Sequence, residues 1–201
     1  MIFLYPALTS HRVIAKNLLF TAIILSGIFS LDFKEKTRRI LMVNGMATVI
    51  LIWLDWFFPS DLLELLAFFA FFSFIFFITV FMVRHVARSK HVDITIIVNS
   101  INGYLLFGVL GAVLLAMTEV LQHFDFLTGT AAIAFADGAT SGFHDYLYFS
   151  FVTLTTLGYG DVTPVSSLAK SITVIIALIG QLYLTILIAF LVGKFLSRKE
   201  D

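Results

Sequence analysis

Thr156-Leu157-Gly158-Tyr159-Gly160-Asp161, between two long apolar stretches, decides how this chain is read. Glycine at alternate positions lets the backbone take positive φ there at little cost. Successive carbonyls can then face one axis while Leu157 and Tyr159 point away from it. Such a strand offers the carbonyl oxygens of Thr156, Leu157, Gly158 and Tyr159 as a replacement for the water shell of a monovalent cation, without fixed negative charge. The Thr156 hydroxyl adds an oxygen at the inner end, and Asp161 puts a carboxylate at the mouth. One strand cannot close a cage around an ion. Four copies about an axis can, so a cyclic homotetramer is expected.

Upstream, Gly142 to Leu154 is the right length for a half-membrane helix ending at Thr155, where the chain must turn back in extended form. Irregular backbone at membrane depth is tolerated only when it is buried in protein or lines an aqueous path. The helix dipole would aim its negative end at the centre, which favours a cation there. Asp145 suits the opposite, positive end. Downstream, Ser166 to Val192 is apolar at helical spacing, broken by Gly180, Gln181 and Thr185.

From about Tyr146 to Val192 the chain resembles the pore-loop potassium channel family. The resemblance rests on the aromatic-rich helix with Tyr148, Phe149 and Phe151, the Thr155-Thr156 pair, the glycine-alternating loop, the Thr163-Pro164 exit and the long apolar helix. It implies a potassium-selective filter over Thr155, Thr156, Leu157, Gly158, Tyr159, Gly160 and Asp161, with K+ held at Thr156 to Tyr159 and conducted passively. It also implies a gating hinge at Gly180, cavity-lining positions at Thr185, Ile188 and Ala189, and an apolar constriction at Val192. Three departures stand out. Leu157 replaces the more usual valine, Tyr148-Phe149 replaces a tryptophan pair, and Val152 stands where some bacterial members have a glutamate bonded to the filter aspartate.

The rest of the chain agrees with a membrane setting. Of 201 residues, 60% are hydrophobic and 23 are phenylalanine, with a mean hydropathy of +1.01, too apolar for a soluble domain. A bilayer core about 30 Å thick needs roughly 20 apolar helical residues, and stretches near 13–31, 40–58, 62–83, 97–121 and 166–192 approach that length. The expected architecture is therefore all-α: an N-terminal membrane region over 1–93 with three transmembrane helices, a pore domain over 94–194 and a short tail over 195–201. Asp61 is the expected N-cap of the third helix, and Phe68 to Phe81 reads as a lipid-facing run. Lys34, Lys36, Arg38, Arg39, Arg84, Arg88, Lys90, Lys194, Arg198 and Lys199 fall on one side of this threading. The positive-inside rule makes that side cytoplasmic, with the N-terminus outside and the chain in the cell membrane. Asp61, Asp125, Asp137, Asp145 and Asp161 fall opposite. Arg12 and Lys16 argue mildly against an outside N-terminus.

Several functions are disfavoured. No paired carboxylates, nucleophile with base or phosphate-binding glycine loop points to an enzyme, and no cofactor or nucleic-acid partner is expected beyond K+ and membrane lipids. Cysteine is absent, which removes disulfides and thiolate metal sites. His11, His85, His91, His123 and His144 are scattered. Arg84 and Arg88 do not make the ladder of a voltage sensor; they read as an interfacial linker running to Thr95. Asp55 between Trp53 and Trp56 reads as an interfacial anchor. Little sequence follows the last helix, so gating is expected to come from helices, lipid, voltage, ions or a partner. Alternatives are a weakly selective cation channel, a subunit of a driven potassium-uptake system, and a non-conducting membrane protein.

Overall fold

Apolar runs long enough to cross a bilayer become helices there because the hydrocarbon offers no partner for free backbone groups. The computed structural model follows that rule throughout. It describes residues 12–29, 35–58, 60–89, 94–122, 132–135 and 142–197. Among the described residues six helices and two short strands run in the order α1 (Arg12–Phe29), α2 (Glu35–Phe57), α3 (Asp61–Arg88), α4 (Ile94–Gln122), β1 (Ile133–Phe135), α5 (Phe143–Leu154), β2 (Val162–Pro164) and α6 (Ser167–Ser197). Among the described residues four segments are long and apolar enough to span a membrane: Thr37–Phe57, Asp61–Arg88, Ile94–Leu121 and Ser167–Gly193. The expected first span falls short of them, since the apolar part described in α1 is Asn17–Ile28.

Successive helices pack side by side. α1 lies on α2, α2 on α3, and α3 on α4, which also carries α5 and α6. α3 is therefore a central helix, correcting its reading as lipid-facing. Phe68, Phe71, Phe74, Ile75 and Ile78 are buried, while Phe69, Phe76 and Phe77 are exposed. Phenylalanine at nearly every position satisfies both faces, so composition alone hid the division. Buried polar side chains in the bundle are mostly tied to backbone or to one another. Asn44 Nδ2 donates to Ser73 Oγ at 3.1 Å, and Thr48 Oγ1 to the Asn44 carbonyl.

Three further expectations change. Ser60, not Asp61, is the N-cap of α3, and Asp61 sits in its first turn near the positive helix end. Arg84 and Arg88 are the last turns of α3 itself, not a separate linker. The all-α architecture gains a two-stranded antiparallel ribbon, with Ile133 opposite Pro164, Ala134 opposite Thr163 and Phe135 opposite Val162. Pro59, Lys34, Lys90, His11, His91, His123, Asp125, Asp137, Arg198 and Lys199, with the side chains of Arg12, Lys16, Lys36 and Lys194, lie outside the described residues.

Candidate functional site

α5 is fixed against the bundle from end to end. At its start the Asp145 carboxylate accepts from the Gly142 amide at 2.9 Å and pairs with His144 at 3.2 Å, closing the first turn. Phe143 packs edge-on to Phe20 of α1, 4.8 Å between ring centroids, and Phe20 stacks on Phe71 of α3 at 4.3 Å. One turn on, the Tyr146 hydroxyl donates to the Glu119 carboxylate of α4. The middle of α5 touches α4 backbone, since Ser150 Oγ donates to the Gly108 carbonyl at 2.7 Å. A Cβ on Gly108 would lie 2.5 Å from the Phe151 ring, so a residue without a side chain is needed for this approach.

At its other end α5 delivers the chain into the glycine-alternating loop. Residues Thr156, Gly158 and Gly160 have φ of +62°, +55° and +81°. The alternation expected of two glycines thus extends to a threonine. A β-branched residue in that region is strained by about 1–2 kcal/mol. The end carbonyls of α5 hold the turn. Thr155 N–H donates to Phe151 O at 2.9 Å, Thr156 N–H to Thr153 O at 3.0 Å, and the Leu157 and Gly158 amides share Val152 O at 2.9 and 3.4 Å. Thr155 Oγ1 also donates to Phe151 O at 2.7 Å. With the amides turned toward α5, Thr155 to Asp161 remain exposed along one side of the protomer.

The far end of the loop is pinned twice. The Tyr148 hydroxyl donates to Asp161 Oδ2 at 2.6 Å, and the other oxygen, Oδ1, accepts from the Val162 amide at 3.0 Å. Tyr148 thus anchors the Asp161 carboxylate without a glutamate at Val152. Sequence reading noticed the Tyr148-Phe149 substitution but not this role; the signal was a phenol 13 residues before a carboxylate on the same helix–loop hairpin. The β1–β2 ribbon is the second pin, extended by the Val165 amide donating to Ala132 O at 3.0 Å.

α6 closes on α5 where the loop begins. A Cβ on Gly180 would fall 2.2 Å from the Leu154 carbonyl oxygen, so Gly180 permits the contact in an uninterrupted helix. Tyr104 of α4 donates to the same carbonyl at 3.1 Å. Tyr183 stacks on Tyr104 at 5.9 Å and donates to Ser100 O at 2.7 Å. Beyond Gly180, Thr185, Ile188, Ala189 and Val192 share one helical face at spacings of three and four, and all are exposed in the protomer. Thr185 Oγ1 donates back to Gln181 O at 2.8 Å. Lys170 and Gln181 are exposed. Asp55 is half-buried beside the Trp53–Trp56 pair, where Trp53 Nε1 donates to Thr21 Oγ1 at 3.3 Å.

Residues 105–197 match the model of a family described as "Ion channel". Two-pore potassium channel 4 of Arabidopsis thaliana is 34% identical over 90 residues, 43% of this chain and 32% of that protein. Two pore potassium channel c of Oryza sativa subsp. japonica is 41% identical over 63 residues, 31% of this chain and 14% of that one. Probable potassium channel protein 2 of Methanocaldococcus jannaschii is 40% identical over 86 residues, covering 40% and 24%. The matched part thus spans about a third or less of the length of these curated relatives. No solved structure matches the chain.

Proposed function

We propose, from the premise that residues 105–197 carry a pore domain of the pore-loop potassium channel family, that four copies of this chain form a channel conducting K+ passively across the cell membrane. The observation that carries the reading is the alternating positive φ at Thr156, Gly158 and Gly160 in a loop exposed on one side of the protomer. That geometry suits a filter in which carbonyls of Thr156, Leu157, Gly158 and Tyr159 replace ion hydration. Asp161 marks its mouth and Thr155 its inner turn.

The fourfold assembly has separate support. α6 leaves Leu178, Leu182, Ile186, Ile188 and Val192 exposed in the protomer, an apolar face suited to neighbouring copies around an axis. On this assignment Thr185, Ile188 and Ala189 border the inner cavity and Val192 the constriction. Gly180 serves close packing in this conformation, and its hinge role is part of the proposal. The division at 94 follows from α4 opening the region that packs α5 and α6. We assign the end bearing Arg38, Arg39, Arg84 and Arg88 to the cytoplasm, with the C-terminus there and the N-terminus opposite.

A weakly selective pore is the rival, and Leu157 was its motive. Leucine is accommodated without interrupting the alternation on either side, which favours the selective reading. The test is purified full-length protein in planar bilayers under mixed K+ and Na+. A reversal potential close to that of K+ supports the proposal, and one near zero with the gradients opposed refutes selectivity. Native mass spectrometry reads subunit number in parallel; dimers or trimers would remove the fourfold cage.

A further inference from the structure

Behind the end of α5 lies a cavity of about 150 Å³, walled by α3, α4, α6 and Leu154. Its lining is almost wholly apolar. One hydroxyl belongs to it, that of Thr79, and this is already donated to the Ile75 carbonyl at 2.7 Å. Water needs two to four polar partners to occupy such a space, and an apolar volume of this size stays dry and takes small apolar occupants. Every wall residue on α3, α4 and α6 lies at least eight residues from either end of its helix. At 1.5 Å per residue that is about 12 Å inward, the depth of hydrocarbon. Phe76 of α3, 46% exposed, stands at its rim, whereas Leu154 and Ile176 are buried; Ile175 continues the α6 face of Leu178, Leu182 and Ile186. The α3 side of the opening therefore faces outward at membrane depth.

We propose that this cavity takes a segment of the acyl chain of one bilayer lipid, entering past Phe76 on the α3 side, and that its occupancy supports the filter. Lipid hydrocarbon is the matching occupant for a dry, outward-opening space at that depth. The link to the filter is Leu154. It lines the cavity, its carbonyl receives Tyr104 and abuts Gly180, and the loop starts at the next residue. Left without an occupant, this volume withholds dispersion contacts from the side chain that ends α5. An occupant that fits this conformation raises its population by its preference for it. One wall is α3, which lies before the matched residues 105–197, so the cavity is built partly by the N-terminal bundle.

The test uses the full-length protein in vesicles containing a phospholipid with a photoactivatable diazirine in mid-chain. Peptide mapping should place adducts on residues around the cavity. Val80→Phe and Leu114→Phe, which fill it from opposite walls, should each lower that labelling at least tenfold while leaving the assembly intact. Val43→Phe, on an exposed face of α2, should not change it. Labelling spread over all exposed faces, labelling indifferent to both filling variants, or cross-links showing a neighbour's α6 in the space would overturn the site. This readout needs no current, so it stands or falls apart from the conduction proposal. For the regulatory part, wild-type open fraction should fall when the unbranched lipid is diluted with one whose chains carry methyl branches too wide to enter. Val80→Phe should not respond. Equal responses of the two proteins would refute coupling to the filter.

Discussion

Replacing Gly158 by alanine tests the backbone geometry directly, because the structure separates conformational from steric cost at that position. Gly158 has φ +55°, and nothing lies within 4 Å of the Cβ an alanine would add. The protomer therefore has room for the methyl group. What alanine loses is the ease of the left-handed region, about 1–2 kcal/mol per residue. In a fourfold cage all four strands must hold the conformation together, so the cost becomes about 4–8 kcal/mol. At about 1.4 kcal/mol per factor of ten, the population with an intact cage falls roughly 10³- to 10⁶-fold. Liposome K+ flux should drop below detection while native mass spectrometry still finds the assembled oligomer. Leu157→Ala is the control, since Leu157 has no positive φ and its truncation should leave flux within about tenfold. Wild-type flux from assembled Gly158→Ala would show that the alternating backbone is not what carries the ion.

Three other outcomes are expected. Thr156→Gly should relieve strain at φ +62° and raise the thermal stability of the oligomer, while removal of the hydroxyl ring lowers K+ over Na+ selectivity in reversal-potential measurements. Tyr148→Phe should make sustained current decay faster, and should add little in an Asp161→Ala background, because both changes remove the same hydrogen bond. Gly180→Ala, whose methyl would meet Leu154 O at 2.2 Å, should destabilise the oligomer by about 1–3 kcal/mol, visible as a lower melting temperature in detergent.

The loop and the helix before it were legible because their constraints are local. Glycine alternation announces the loop, helix length follows from bilayer thickness, and the observed α5, Phe143–Leu154, lies within one residue of the expected Gly142 to Leu154. What was not legible depended on distant partners. The strand at Ile133–Phe135 is only three residues long and exists because Val162–Pro164 offers a free edge. The Tyr148–Asp161 bond needs the loop to fold back along α5 before the two groups meet. The crowding of Phe151 against Gly108 and of Ser150 against Gly111 appears only once α5 is docked. The positive φ of Thr156 runs against its intrinsic preference, so no reading of propensity would have chosen it.

The placement of polar bonds along α5 explains why so short a helix can hold a stiff loop. Membrane helices gain little from hydrophobic association, so close packing and hydrogen bonds must orient them, each such bond being worth about 0.6 kcal/mol on average and at most about 1.7. α5 has contacts at three levels: Tyr146 to Glu119, Ser150 to Gly108 O, and Leu154 O from Tyr104. Summed, these are worth about 2–5 kcal/mol, enough to resist rotation of a single helix about its axis. Rotation would swing the Val152 carbonyl away from the Leu157 and Gly158 amides it binds, and the loop would lose its template. Phe143 adds a fourth hold through Phe20, a residue of α1. The N-terminal bundle, which lies outside the matched residues, therefore reaches the start of α5 through Phe20 and approaches its end through the cavity wall of α3. A displacement of α1 or α3 would therefore be felt by the glycine-alternating loop through the two ends of α5.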